Sequence, residues 1–339
     1  MLIWKKVDFM EKKINDMILK WSNENKKFLN IVSIPYNSTY VFIDLIKKYL
    51  KENKKILYIT GENSSEINII SNIKKYTNIK SYAYIKNVEK YSFVNLNICN
   101  FETACNLKKD FDLIIYDDIS SFPCHNRYEI LDILSELANK NSRVVVYSIE
   151  EILKNCETIL IPVKNNRVPI IEPRTILTRL DINKNIPFVI YDYIKWSIST
   201  GRKVIIFVPD EVKITAVYLY IKDYCKHFLK NIICFTENRS DKKLINKFLN
   251  LNNAILITNC FKYLSPDIKN SDIMVYFADH SNFNYKKFIY LCASVVRGEK
   301  DLKGEVIFLA NYETDDMEKA KYITRNFNKE AWNMGLLKV

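Results

Sequence analysis

Short, uninterrupted apolar runs most constrain this chain. Lys55-Ile56-Leu57-Tyr58-Ile59, Leu113-Ile114-Ile115-Tyr116 and Arg143-Val144-Val145-Val146-Tyr147 are too short for core helices and lack the alternation of a sheet with one wet face. Runs of this kind suit strands covered on both faces, the condition of a parallel sheet. Further strands are expected over 82–85 and 94–98. Between the runs the apolar period changes: Phe42, Leu45, Ile46 and Tyr49 recur at helical spacing within Tyr40 to Leu50, as do Ile130, Ile133, Leu134 and Leu137. Strand and helix in alternation give an α/β domain with a largely parallel sheet.

The second half repeats the pattern. Strands are expected at 203–208, 231–235, 254–258, 273–277 and 305–309, and helices near 188–199, 210–228, 240–251, 284–295 and 314–330. Between the halves, prolines at Pro162, Pro169, Pro173 and Pro187 punctuate a stretch with little regular period. The expected organisation is a first α/β domain over 1–165, a connection over 166–187 and a second α/β domain over 188–339. A ligand-binding cleft between two such domains is the natural consequence.

Composition limits the classes. At 339 residues and 48% hydrophobic content, the chain has material for two cores. No apolar stretch approaches the roughly 20 residues that span a bilayer, and the charged, aromatic start lacks a signal-peptide core, so a cytoplasmic location is expected. The eight cysteines include no Cys-x-x-Cys pair and suit small buried hydrophobes. With three histidines, a zinc centre is not expected. A formal net charge of +12 favours an anionic partner, and the many Tyr and Phe residues offer surfaces for stacking bases. The lysine excess also belongs to a bias toward Lys, Asn, Ile and Tyr across the whole chain.

Chemistry points to the strand ending Leu113-Ile114-Ile115-Tyr116-Asp117-Asp118. Ligands of parallel sheets bind outside the carboxyl ends of the strands, which places both acids at the reactive edge. In nucleotide hydrolases the first acid of such a pair helps hold Mg²⁺ and the second orients the attacking water. Adjacent acids after a strand also suit a plain turn, since Asp accepts hydrogen bonds from backbone two or three residues on.

Several segments in order resemble the two-domain core of superfamily 2 helicases, and most closely the late-competence DNA-uptake helicases of the ComFA type. Asp117-Asp118-Ile119-Ser120-Ser121-Phe122-Pro123 resembles that family's Asp-Glu-Val-Asp-Ala-Phe-Pro element. Ile186-Pro187, Trp196 and Gly201-Arg202-Lys203-Val204-Ile205-Ile206-Phe207-Val208-Pro209 are similar to the opening of its second domain. Phe277-Ala278-Asp279-His280-Ser281-Asn282-Phe283 through Leu291-Cys292-Ala293-Ser294-Val295-Val296-Arg297-Gly298 follows its strand, Ala-x-His and arginine-rich helix without a gap. The tail, Lys303 to Asn328, resembles its last strand and helix. The resemblance implies two tandem RecA-like domains, ATP and Mg²⁺ as cofactors, single-stranded DNA and uptake machinery as partners, and a site of Ser38 and Thr39 at the phosphates, Thr39 and Asp117 on Mg²⁺, and Asp118 and Arg297 in catalysis.

Departures from the family pattern fall on that same site. The phosphate-binding loop corresponds to Ser33-Ile34-Pro35-Tyr36-Asn37-Ser38-Thr39, which contains no glycine, and Ser38 stands in the place of the lysine. Without glycine the loop cannot readily adopt φ > 0, and Pro35 removes an N–H donor. Loss of the lysine removes charge-assisted bonds of about 1.5–3 kcal/mol each. In the second half, Tyr290 and Ser294 occupy the Gln and first Arg positions of the arginine helix, Arg297 alone remains, and the Glu-Arg-Gly of the Thr258–Ser265 loop is missing. The first domain's Thr-Ala-Thr is replaced by Tyr147-Ser148-Ile149. The expected protein is a degenerate ComFA-like helicase homologue that binds single-stranded nucleic acid with weak or absent ATP hydrolysis. The alternatives are an active ATP-dependent translocase, or an unrelated tandem α/β transferase using the same cleft. Lys262, Arg239, Lys242 and Lys243 are candidate nucleic-acid contacts because they follow second-half strand ends.

Overall fold

The computed structural model describes residues 2–86, 94–108, 110–164, 166–236, 242–261, 270–295 and 304–337, with the side chains of residues 2–11 and 242 excepted. Two compact units follow one another, Met1–Arg167 and Val168–Val339. The first runs α1 (Leu2–Asn23), β1 (Phe28–Ser33), a 3-10 turn (Thr39–Phe42), α2 (Ile43–Lys51), β2 (Ile56–Thr60), α3 (Asn68–Tyr76), β3 (Ala83–Tyr84), β4 (Leu96–Cys99), α4 (Phe101–Ala104), β5 (Leu113–Asp117), α5 (Arg127–Leu137), β6 (Arg143–Ser148) and β7 (Glu157–Ile161). The second runs β8 (Arg174–Leu177), α6 (Phe188–Ser199), β9 (Lys203–Phe207), α7 (Glu211–Cys225), β10 (Asn231–Phe235), α8 (Lys242–Asn250), β11 (Ala254–Thr258), β12 (Ser271–Tyr276), α9 (Tyr285–Ser294), β13 (Val306–Ala310) and α10 (Asp315–Asn333).

Both sheets are parallel, as uninterrupted apolar strands require. The first has seven strands in the order β3-β4-β2-β5-β6-β1-β7, the second six in the order β10-β11-β9-β12-β13-β8. Every residue of β2, β5 and β11 is buried, because helices cover both faces. Leu57, Ile59, Ile114, Tyr116, Val144 and Val146 share one core with Ile130, Ile133, Leu134 and Leu137 of α5. Each large side chain so buried contributes about 1.5–3 kcal/mol. The start of α5 is fixed by a capping box: Asn126 accepts from the Tyr128 and Glu129 amides while Glu129 accepts from the Asn126 amide.

Register decides what meets at the reactive edge. Thr60 pairs with Asp117, Asp117 with Tyr147, and Tyr147 with Ile31. The carboxyl ends of β2, β5, β6 and β1 therefore stand side by side.

Two segments differ from the pattern expected of the sequence. The helix expected from Tyr40 opens as a 3-10 turn, and α2 begins at Ile43. Ser38 accepts from the amide only two residues on, at Tyr40, and the β-branched and aromatic run Thr39-Tyr40-Val41-Phe42 favours helix poorly. The proline-bearing stretch carries β8, an edge strand paired with β13 and partly open to solvent.

Candidate functional site

Asp117 ends β5 as a buried carboxylate with both oxygens occupied. Oδ1 accepts from the backbone amides of Ile119 (2.9 Å) and Ser120 (3.0 Å). Oδ2 accepts from the hydroxyls of Tyr58 and Ser120, each at 2.5 Å. These bonds close the turn after β5 and tie it to β2. Burial pushes the Asp117 carboxyl above the usual carboxylate range, against the pull of Ser120 and Tyr58. The Tyr58 phenol rises well above its ordinary range through burial and then through the charge of Asp117.

A second carboxyl stands nearby. Glu62, just past β2, is pushed up to about 8, first by burial and then by the charge of Asp117. It accepts from the Asn68 amide at 3.1 and 3.2 Å and from the Asn68 side chain, which opens α3. Gly61 lies between them, where a Cβ would stand 2.5 Å from Ser121 Oγ. Asp118 is also buried, and its amide donates to the Tyr147 carbonyl at 2.9 Å.

The segment in the place of the phosphate loop spends its donors on itself. The Tyr36 amide donates to the Ile119 carbonyl (3.0 Å), the Ser38 amide to Asn37 Oδ1 (3.0 Å) and the Tyr40 amide to Ser38 Oγ (3.1 Å). Asn37 Nδ2 bonds Ser33 Oγ (3.1 Å) and the Val163 carbonyl (3.0 Å). Tyr36 has φ 61°, the left-handed conformation that glycine would adopt without strain. Lys164 stands over its ring at 5.6 Å.

Aromatic side chains fill the space beneath. Phe42, fully buried, packs edge-on against Tyr147 (5.3 Å between centroids) and Tyr58 (6.2 Å). The Tyr147 hydroxyl lies 3.3 Å from the Ser38 carbonyl and 3.4 Å from Ser33 Oγ. Thr39 is buried, and its hydroxyl accepts from Asn72 of α3 at 2.9 Å.

ATP and Mg²⁺ do not fit these residues. A phosphate loop offers free backbone amides to the anion, whereas here those of Tyr36, Ser38 and Tyr40 already bond within the chain. A Mg²⁺ ligand needs an available oxygen, and Asp117 accepts four donors with its two. Among the described residues, no group of three His, Cys, Asp or Glu side chains could hold a metal ion.

The second unit also commits its strand-end residues to internal contacts. Tyr290, at the Gln position, is fully buried in α9, and the Ser294 hydroxyl donates back to the Leu291 carbonyl at 2.8 Å. Phe207, Phe261, Phe283, Phe288 and Phe308 make a continuous chain of ring contacts beside the strand ends, with centroids 4.3–6.0 Å apart. Thr258 Oγ1 accepts from the Cys260 amide at 3.0 Å and so closes the turn after β11. Arg297, Arg239, Lys262 and the Lys242 side chain lie outside the described residues; Lys243 is exposed on α8.

The sequence reading missed Tyr58, Phe42, Glu62, Ser120 and Asn72. Ser120 was legible, because Asp followed three residues later by Ser is a turn signal. Tyr58 was not, since 59 residues separate it from Asp117 and only strand register brings the two together.

No protein-family model and no curated protein matches the chain by sequence. Solved structures do match in fold. A Dbp5 variant from S. cerevisiae bound to RNA and ADP BeF3 is similar over 99% of this chain and 97% of its own, with a TM-score of 0.57 at 13% identity. Mss116p bound to ssRNA and AMP-PNP is similar over 85% and 66%, with a TM-score of 0.55 at 14% identity. The E. coli DExH-box NTPase HrpB is similar over 92% of this chain and 42% of its own, with a TM-score of 0.53 at 10% identity. The fold these structures share with this chain is the tandem RecA-like core.

Proposed function

We propose that the chain is a helicase core that has ceased to use ATP and works as a basic scaffold for single-stranded nucleic acid. The observation that carries this reading is the segment 33–39, in which the Tyr36 and Ser38 amides bond within the chain, Tyr36 takes a glycine-like conformation and Ser38, at the lysine position, accepts from the Tyr40 amide. The proposed roles change accordingly. Ser38 and Thr39 cap and anchor a turn instead of holding phosphate, and Asp117 locks the loop after β5 instead of holding Mg²⁺. Asp118 and Arg297 are then relics of a catalytic pair.

Nucleic acid as partner is supported by the net charge of +12 and by a fold whose neighbours include RNA-bound proteins. The sequence resemblance to DNA-uptake helicases makes single-stranded DNA the first strand to test, with the uptake machinery as the setting. No described helix is long and apolar enough to cross a membrane.

The test is binding of a labelled single-stranded oligonucleotide with and without Mg²⁺·ATP. The expected result is a Kd that rises steeply with salt and does not respond to nucleotide. A Kd that shifts with nucleotide would restore the motor reading, in which Thr39 and Asp117 hold the metal and Arg297 completes the site.

A further inference from the structure

We infer that the exposed face of α10 is a stacking platform for single-stranded nucleic acid, an inference resting on the nucleic-acid reading above. One face of α10 is core: Met317, Ala320, Thr324, Phe327 and Ala331 are buried, and the helix packs on α9. The opposite face carries Tyr322, Arg325, Lys329 and Trp332, at i, i+3, i+7 and i+10. That spacing puts the four on one stripe. Tyr322 is 66% exposed and Trp332 is 65% exposed, which is high for rings of that size.

Charge selects the occupant. The acids of α10 gather in its first turn, Asp315, Asp316 and Glu318, where they complement the helix dipole. Beyond them the helix bears Lys319, Lys321, Arg325 and Lys329 against Glu330 alone. Arg325 keeps a 3.4 Å contact with Glu172, which also accepts from Asn328 Nδ2 at 3.1 Å, so its guanidinium is steadied at the surface. A groove-binding helix of a protein partner would meet aliphatic anchors at these positions. Here two π faces flank two cations, the combination that stacks bases and neutralises phosphates. Ten residues at about 1.5 Å set the rings about 15 Å apart, room for roughly four bases at about 3.4 Å each.

The test uses the full chain and fluorescein-labelled oligo(dT) and oligo(rU) of about 16 nucleotides, read by anisotropy. Trp332→Ala and Tyr322→Ala should each weaken binding by between about 5- and about 150-fold, and Trp332→Phe should retain most of it. Arg325→Gln with Lys329→Gln should flatten the slope of log K against log salt by about 1.4, the share of two phosphate contacts on a single strand. All four side chains are on the surface, so the unfolding midpoint by circular dichroism should not move. The oligonucleotide bound more tightly identifies the sugar.

Equal affinities for the wild type and both alanine variants would overturn the platform and leave the nucleic-acid reading standing. A wild type that binds neither oligonucleotide would overturn both. Self-association abolished by Trp332→Ala, with oligonucleotide binding unaltered, would make the stripe a surface between copies of this chain and likewise overturn the proposal.

Discussion

Each unit buries an aspartate, and the two are neutralised in opposite ways. Asp272, fully buried near the amino end of β12, meets a cation: Arg202 Nε at 2.7 Å and Nη2 at 2.6 Å, joined by the Ser197 hydroxyl (2.9 Å) and the Glu305 amide (2.9 Å). Asp117, at the carboxyl end of β5, meets only neutral donors: two amides and two hydroxyls. The amino end of a parallel sheet is where structural pairs can settle without obstructing ligands. At the carboxyl end, an acid that served a metal would keep an oxygen available. The contrast teaches that Asp117, like Asp272, is held by donors that tie parts of the fold together, but at the sheet edge where chemistry is usually done.

Breaking the second-unit pair should have the largest effect. Asp272→Ala leaves the Arg202 guanidinium buried and unpaired and should cost about 3–5 kcal/mol in urea unfolding. Arg202→Met with Asp272→Leu should recover most of that loss, because two apolar side chains of similar volume remove both charges together.

Asp117→Ala should come next. It strands the buried Tyr58 hydroxyl and Ile119 amide, whereas the part-buried Ser120 groups can turn to water, and should cost about 1–3 kcal/mol in all. Tyr58→Phe removes a single bond to the same carboxylate and should cost about 1 kcal/mol.

The pH profile sharpens the comparison further. Glu62 is raised from 4.5 to about 8, so the folded state holds a proton that the unfolded state releases. Its contribution to stability is complete below about 4.5 and is lost as pH rises through about 8. The midpoint of thermal unfolding should fall across that window, and Glu62→Gln should flatten the fall. The smallest effect belongs to Gly61→Ala, whose Cβ would meet Ser121 Oγ at 2.5 Å. A serine hydroxyl can rotate away, so the cost should stay near 1 kcal/mol or below and vanish in the Ser121→Gly background.

Much of this was written in the sequence, and the part that was not has a physical cause. Continuous apolar runs announced β2, β5, β6, β9 and β11 because strands buried on both faces need no alternation. β8 escaped because an edge strand between prolines, with Arg174 and Leu177 exposed, carries neither a run nor a period. The described side chains of α1 bury Ile14, Ile18 and Trp21, a spacing that was available but sat among lysines. At the candidate site, the lack of glycine and lysine in 33–39 was visible. The packing around it was not: the wedge of Phe42 between Tyr58 and Tyr147 and the hydroxyl of Tyr58 on Asp117 depend on strand register, which one-dimensional spacing does not encode.

The most direct test of the central claim is ATP turnover by the full chain with saturating Mg²⁺, with and without single-stranded oligonucleotide, beside Asp117→Asn. The account predicts background turnover in all four reactions and an unfolding midpoint that millimolar Mg²⁺·ATP does not raise. Oligonucleotide-stimulated hydrolysis that Asp117→Asn abolishes would contradict it.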